Sequence, residues 1–310
     1  MLNNLDNKTC CIVTIVLFLV LSVLLFIKNR NNLNKKQGVR EGFNTLVKKT
    51  KPDEIYDDFY AEIYDQLFQS DLKNEYECVQ IHKMYLKDWK GPKIKLLDAG
   101  CGTGHHLRIL KRFGHHVEGL DQSSHMLKKA KKQCPPAILR KGSFDDPNVY
   151  ESRRFTHIIC MFFTIYYSKN LSKLFENFNK WLKPNGMLFI HVVMRDKFDP
   201  VLERASSLIP LFDPQRHSKT RVTTTNLDFK EFNYESDWDL SKRRCKFQEI
   251  IRFHKEPYDR QHIHTFNMIN PKTVITKANK NGFELVKAID LFLVGHGHNY
   301  LMAFKKKYGE

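Results

Sequence analysis

The sequence predicts an α/β fold built on a mostly parallel sheet and preceded by one N-terminal transmembrane helix. Three observations lead there. From Lys93 onward, short apolar runs alternate with helical patterns, as in strands joined by crossover helices. The first of those runs opens directly into a glycine loop, Gly100-Cys101-Gly102-Thr103-Gly104. At the front of the chain, residues 10–27 form an apolar run interrupted only by Thr14 and Ser22.

Composition bounds the function. The 310 residues carry 51 Lys and Arg against 34 Asp and Glu, a net charge of +17, and 42% are apolar. That apolar share excludes a mostly disordered chain, and the polarity of most of the sequence excludes a polytopic membrane protein. The seven cysteines include no C-x-x-C pair. They fit reduced thiols in a cytosolic compartment better than a disulfide framework or a zinc site.

The elements follow in order. Residues 1–9 are a short tail. Residues 10–27 would reach about 27 Å as a helix, enough for a thin bilayer. Lys28-Asn29-Arg30-Asn31 follows at once, with no small-residue cleavage site, so an uncleaved anchor is expected rather than a signal peptide. Lys28, Arg30, Lys35, Lys36 and Arg40 follow the run, whereas only Asp6 and Lys8 precede it; this puts the C-terminal side in the cytoplasm. The same cations can hold a basic linker, 28–52, against anionic lipid, or serve as topology determinants alone. The globular domain is then 53–310.

Within it, Lys93–Ala99 reads as a strand, His105–Phe113 as a helix stopped by Gly114, and His116–Leu120 as a second strand ending at Asp121. Ser123–Gln133 reads as a helix with a serine cap, and Ala137–Arg140 as a third strand leading into Lys141-Gly142-Ser143-Phe144-Asp145. Phe155–Met161 is a fourth strand, Leu171–Leu182 a helix and Met187–Val193 a buried strand. Residues 200–270 break the alternation: Arg221–Trp238, Cys245–Phe253 and Arg260–Ile269 are rich in β-branched and aromatic residues, which predicts an antiparallel insert with a hairpin loop at Asp239–Lys242. Pro271–Asn281 reads as a helix stopped by Gly282, followed by strands at Phe283–Ile289 and Tyr300–Lys305.

The glycine loop carries chemistry through geometry. Three glycines at alternate positions let the chain turn tightly and leave no side chains between the backbone and a ligand. The spacing is G-x-G-x-G after Asp98; the third glycine of a dinucleotide fingerprint would fall at His105. Asp121 follows Gly100 by 21 residues, where an acid at a strand end can accept hydrogen bonds from both ribose hydroxyls of an adenosine ligand.

These runs, LLDAGCGTG, VEGLDQSSHML and RKGSFDD, resemble the class I S-adenosylmethionine-dependent methyltransferases, in particular the small-molecule branch that includes amino-sugar N-methyltransferases. Phe59–Asp65 resembles the Y-A-x-x-Y-D opening helix of that branch. Leu182–Gly186 is similar to its L-x-P-G-G turn, with Asn185 in place of the first glycine, a residue that tolerates the left-handed conformation. The phrase FTIYY, together with the anchor, also resembles methyltransferases of large DNA viruses. The resemblance implies a Rossmann-like, doubly wound, mostly parallel seven-stranded sheet, with the insert over the substrate side and S-adenosyl-L-methionine as cofactor. By the same likeness Ala99, Gly100, Cys101, Gly102 and Gly104 would line the methionine and ribose part. Asp98 would face the amino group, Asp121 and Gln122 the ribose, Ser143 and Phe144 the adenine, and Met161 and Phe162 the sulfonium. Tyr64, with Tyr60, would close over the cofactor.

Methyl transfer from a sulfonium has a good leaving group already, so positioning and desolvation carry most of the catalysis. A general base helps where the acceptor holds a proton at pH 7. Tyr167 stands where amino-sugar relatives carry a catalytic histidine; Tyr166, Tyr167 and His191 are the candidates. Histidines crowd the second half, with H-x-H at His262/His264 and His296/His298; no carboxylate or cysteine stands at metal-ligand spacing, and they read as strand residues. The acceptor is expected to be a small or lipid-linked molecule. An RNA or protein acceptor, or a membrane protein that binds cofactor without chemistry, are the alternatives. The charge alone favours nucleic acid, and MFFTIYY lacks the [DN]-P-P-[YFW] signature of amino-methylases.

Overall fold

The structure, a computed structural model, describes residues 46–87, 89–203, 215 and 218–307. The expected tail, transmembrane helix and most of the basic linker lie outside the described residues. Among the described residues no helix is long and apolar enough to cross a membrane.

Two sheets organise this part of the chain. The larger has seven strands: β2 (Lys95–Ala99), β3 (His116–Asp121), β4 (Ile138–Lys141), β5 (Phe155–Cys160), β6 (Leu182–Val193), β11 (Phe283–Leu291) and β12 (His296–Lys306). Their spatial order is β11-β12-β6-β5-β2-β3-β4. Strands β2 to β6 pair in parallel, while β12 lies antiparallel between β6 and β11. The chain therefore starts in the middle of the sheet, winds outward along one half through β3 and β4, and returns to fill the other. Ligands of open α/β sheets bind at such a reversal, outside the carboxyl ends of the strands. All six residues of β5 are buried, as expected of a strand covered on both faces.

The covering helices start at the caps their sequences supply. Helix α1 (Asp58–Phe68) is capped by Asp57, which accepts from Tyr60 N at 2.9 Å. Ser70 caps α2 (Asp71–Ile81), which continues into a π-helical turn at His82–Leu86. Helix α3 (His105–Arg112) follows Gly104, and Ser123 caps α4 (Ser124–Gln133) by accepting from Met126 N. Asn170 and Asn270 cap α5 (Leu171–Trp181) and α6 (Pro271–Lys280). Each capping side chain satisfies a backbone N–H that the helix itself leaves without a partner.

The second sheet has the order β1-β10-β9-β8-β7, with β1 at Leu46–Lys49. Strands β7 (Thr224–Asp228), β8 (Phe232–Asp239), β9 (Arg244–Phe253) and β10 (Tyr258–Asn267) form the antiparallel insert. Its inner face packs on α1 through Tyr234, Ile251, Tyr60 and Ile63, and joins the main core through Trp238, Phe247 and Phe266.

Three details depart from the sequence reading. The run 221–238 is two strands, because Phe229 N bonds Phe232 O and closes a tight turn within it. Helix α2 was not visible as a pattern, because Lys73, Asn74 and Glu77 occupy its buried face. Leu46–Lys49, expected as linker, forms β1, which pairs in parallel with Tyr258–Gln261 of β10; the folded unit therefore begins ahead of Asp53. Asn185 holds φ +61° as the turn requires. The register slips there, from Phe155↔Leu182 to His157↔Met187, so that Lys183–Gly186 loops out of the pairing.

Candidate active site

The glycine loop leaves β2 and crosses above β3. Gly100 N and Cys101 N donate to Leu120 O at 2.7 and 3.0 Å, so the loop is fastened to the neighbouring strand. Gly100, Gly102 and Gly104 hold φ of +81°, +52° and +89°, conformations costly for a residue with a side chain. Their surroundings differ. A Cβ on Gly100 would lie 2.3 Å from Thr164 Cγ2, and one on Gly104 2.9 Å from Ala130 Cα, whereas one on Gly102 would meet nothing within 4 Å. Gly102 thus faces open space, and the other two allow neighbouring elements to pack close.

Asp121 closes the loop. Its Oδ2 accepts from Gly102 N at 2.9 Å and its Oδ1 from Ser123 N at 2.9 Å. Burial raises its pKa, against the pull of the amides of Ser123, Gly102 and Gln122. Two fixed carboxylate oxygens, each with acceptor capacity to spare, face a cavity of about 1000 Å³. Gln122 Nε2 donates to Ser143 Oγ at 3.3 Å, and Asn177 Nδ2 fixes Phe144 O at 2.9 Å. Thr103 Oγ1 donates to Asp65 at 2.6 Å and Ser123 Oγ to Tyr56 O at 2.6 Å, which tie α1 and the segment before it over the loop.

Of the residues singled out in the sequence, Tyr60, Tyr64, Gly100, Gly102, Asp121, Gln122, Ser143, Phe144, Phe162 and Tyr167 line this one cavity. Asp98, Ala99, Cys101, Gly104 and Met161 do not reach its wall; Asp98, Ala99, Cys101 and Met161 are buried behind it. The Asp98 carboxyl is pushed up to about 8 by burial, with the charges of Asp121 and Glu77 adding to the effect. Tyr166 and His191 are likewise displaced from their expected catalytic place. Tyr166 is buried, and its hydroxyl accepts from Val193 N at 2.7 Å, so it serves β6. His191 is buried with Nε2 3.1 Å from Asn299 Oδ1, and burial lowers its pKa to about 3. The His191 side chain points into packed protein because the second half of β6 is covered on both faces.

Tyr167 remains, and its partners are ones the sequence reading left out. The Tyr167 hydroxyl lies 2.7 Å from the Tyr56 hydroxyl and 2.7 Å from His264 Nδ1. His264 Nε2 is 2.7 Å from Glu249 Oε2. Glu249 is fully buried and also accepts from the hydroxyls of Tyr60, at 2.8 Å, and Tyr234, at 2.7 Å. Burial alone would raise its pKa, but the facing imidazoles of His262 and His264 outweigh that and hold it well below the ordinary range. Burial pushes the Tyr167 phenol well up, so it stays a neutral hydroxyl. The signal in the sequence was the H-x-H of β10: alternate residues share a face, and β9 sets Glu249 opposite His262. Beyond Tyr167 the wall is aromatic, with Phe163, Trp238, Phe247 and Phe266.

A second charged group borders the same cavity. Lys73 lines it and donates to Glu77 at 2.9 Å, and His106 Nε2 lies 2.9 Å from the same carboxylate oxygen. Burial opposes the Glu77 charge, yet Lys73 and His106 hold its pKa low.

A fold wound this way, with a G-x-G-x-G loop clasped by an acid at the end of the next strand, is that of a methyltransferase domain. The chain belongs to the methyltransferase domain family, whose model matches residues 68–288. It is 31% identical over 142 residues to the dTDP-3-amino-3,6-dideoxy-alpha-D-glucopyranose N,N-dimethyltransferase of Streptomyces fradiae, covering 45% of this chain and 55% of that one. The identity is also 31%, over 141 residues, to the dTDP-3-amino-3,4,6-trideoxy-alpha-D-glucopyranose N,N-dimethyltransferase of Streptomyces venezuelae, covering 44% and 58%. The match thus spans little more than half the length of these curated relatives. Among solved structures, a S-adenosylmethionine-bound amino pentose methyltransferase from Micromonospora echinaspora superposes with a TM-score of 0.56 at 17% identity, over 80% of this chain and 97% of that one. A S-adenosylmethionine-dependent methyltransferase from Clostridium acetobutylicum gives 0.59 at 14% identity, over 81% and 98%. At such identities the likeness is one of fold.

Proposed function

We propose that the chain is a S-adenosylmethionine-dependent methyltransferase that acts on a small, amine-bearing acceptor and is held at a membrane by its N-terminal segment. The observation that carries the reading is Asp121: a carboxylate at the end of β3, oriented by the Gly102 and Ser123 amides and open to the cavity. Its free acceptor capacity matches a pair of ribose hydroxyls, and the open face of Gly102 leaves room for a nucleoside against the backbone. Ser143 and Phe144 would flank the adenine, and Tyr64 would cover the cofactor from α1. Bound there, S-adenosylmethionine supplies an electrophilic methyl carbon on a sulfonium that departs with the bonding pair. The aromatic wall of Phe163, Trp238, Phe247 and Phe266 would hold the acceptor, exclude water and favour a cationic amine over its ring faces. The names of the Streptomyces relatives support an amino-sugar nucleotide as the acceptor class.

The anchor rests on the apolar run 10–27 and the five cations that follow it within 28–40, with the domain on the cytoplasmic side and a lipid-linked acceptor as a variant of the same chemistry. The full chain in detergent, titrated calorimetrically with S-adenosylmethionine and S-adenosylhomocysteine, tests the cofactor. Saturable one-to-one binding is expected, and no heat from folded protein overturns the reading. Labelled methyl recovered in RNA or protein, and not in small molecules, overturns the acceptor class.

A further inference from the structure

The row from Glu249 to Tyr56 has a fixed polarity. A carboxylate can only accept, so with Glu249 ionised the 2.7 Å contact at His264 Nε2 is an N–H donating to it. In the neutral imidazole that leaves Nδ1 as the acceptor, and the Tyr167 hydroxyl, 2.7 Å away, donates to it. The oxygen of Tyr167 then accepts from the Tyr56 hydroxyl at 2.7 Å. One buried anion thus orients three successive hydrogen bonds toward itself. The row runs from the interior of the second sheet to the cavity, which Tyr56, Tyr167 and His264 all line. Glu249 itself is fully buried, pinned by two more hydroxyls.

Resting on the proposed methyltransferase reading, we infer that Tyr56, Tyr167, His264 and Glu249 form a relay that removes one proton from the acceptor for each methyl group it receives. The acceptor N–H gives its proton to a tyrosine oxygen facing the cavity. The hydroxyl proton of Tyr167 passes to His264 Nδ1, and the N–H bond that breaks leaves its electron pair on the acceptor nitrogen, where it forms the bond to carbon. The proton ends as an imidazolium N–H beside the Glu249 carboxylate, a neutral pair overall, and returns to solvent when product leaves. Tyr56 and Tyr167 are the groups that meet the acceptor; His264 and Glu249 act through them as positioning residues. No tyrosinate forms, consistent with a burial that disfavours one.

The members of this relay and the groups that face them come from several elements. They are Tyr56 from the segment before α1, Tyr60 from α1, Tyr167 from the turn after β5, Glu249 from β9 and, on β10 itself, His262. Tyr234 of β8 reaches Glu249, and the Asp121 charge acts on Tyr56 and Tyr167.

The test reads His264 directly and so does not depend on knowing the acceptor. The full chain is labelled with 15N-histidine, and the His264 resonances are assigned by their loss in His264→Gln. The relay requires Nε2 protonated and Nδ1 bare at pH 8. It also requires the Nε2 resonance to move in Glu249→Gln, where its N–H loses the anionic acceptor. Tyr167→Phe should shift the Nδ1 resonance and leave Nε2 unchanged, and it serves as the second variant should Glu249→Gln fail to fold. A Nδ1–H tautomer, or a bare Nδ1 indifferent to Tyr167→Phe, overturns the relay. S-adenosylhomocysteine calorimetry on the same wild-type sample keeps the two claims apart: no binding with the expected tautomer removes the methyltransferase reading, and binding with the wrong tautomer removes only the relay.

Discussion

Asp121 Oδ2 and the Gly102 amide meet at 2.9 Å, where the loop after one strand faces the end of the next. The contact ties the carboxylate to the backbone that would lie beneath the nucleoside, so the two cannot be positioned independently. Asp121→Ala removes the ribose acceptor and the clasp together. S-adenosylhomocysteine affinity should fall by about 1.5–3 kcal/mol, the range for hydrogen bonds to charged groups, and calorimetry reads it as about a tenfold to hundredfold weaker Kd. Asp121→Asn keeps one acceptor oxygen and should lose less. Because burial raises the Asp121 pKa, binding should weaken as pH falls through that raised value, earlier than for an exposed carboxylate.

The loop glycines should separate by phenotype. Gly104→Ala forces a side chain into φ +89° and against Ala130 Cα; strain and overpacking together should cost about 2–4 kcal/mol in urea unfolding. Gly102→Ala meets only open space and should cost about 1–2 kcal/mol for its left-handed backbone, while its methyl group intrudes on the cofactor. It should therefore bind S-adenosylmethionine poorly as a folded protein, as circular dichroism alongside calorimetry would show.

The adjacent tyrosines make a similar pair. Tyr166→Phe leaves the buried Val193 amide without its acceptor and should destabilise the protein by about 1–3 kcal/mol. Tyr167→Phe leaves Tyr56 and His264 at a cavity wall that water can reach and should cost less than Tyr166→Phe. Denaturant midpoints of the two variants, compared at equal m-value, check the order.

Asp98 should leave a mark on the pH dependence of stability. Its folded pKa of about 8 lies above the unfolded value near 3.9, so between them the folded state holds more protons. Stability from this group is complete below about pH 4 and is lost as pH rises to 8. Asp98→Asn removes that slope. The melting temperature of Asp98→Asn minus that of the unaltered, ligand-free protein should rise from pH 4 to pH 8 and then level off.

The parallel half of the sheet was legible because its strands are apolar runs bounded by turn residues, and the cradle because Gly100, Gly102, Gly104 and Asp121 stand at a spacing with one geometric meaning. The relay was not. His264 and Glu249 lie on separate strands, and only the pairing of β9 with β10 and the packing of α1 bring them together with Tyr167. Helix α2 escaped for the opposite reason: Lys73 and Glu77 satisfy each other inside, so charges stand where a core-facing stripe would show apolar residues. Tyr166 and Tyr167 look alike in sequence, and which of them turns toward the cavity is decided by the short helical turn at Thr164–Tyr167.

Strand β1 bears on how the protein should be handled. A fragment cut at Asp53 would lose Leu46–Lys49 and Thr50, whose amide donates to Gln261 O at 3.0 Å, and would bare the outer edge of β10 from Tyr258 to Gln261. Uncovered strand edges template pairing with other chains. Such a trimmed version would invite edge-to-edge self-association through the strand that bears His264, while one that retains residue 46 carries its own cover.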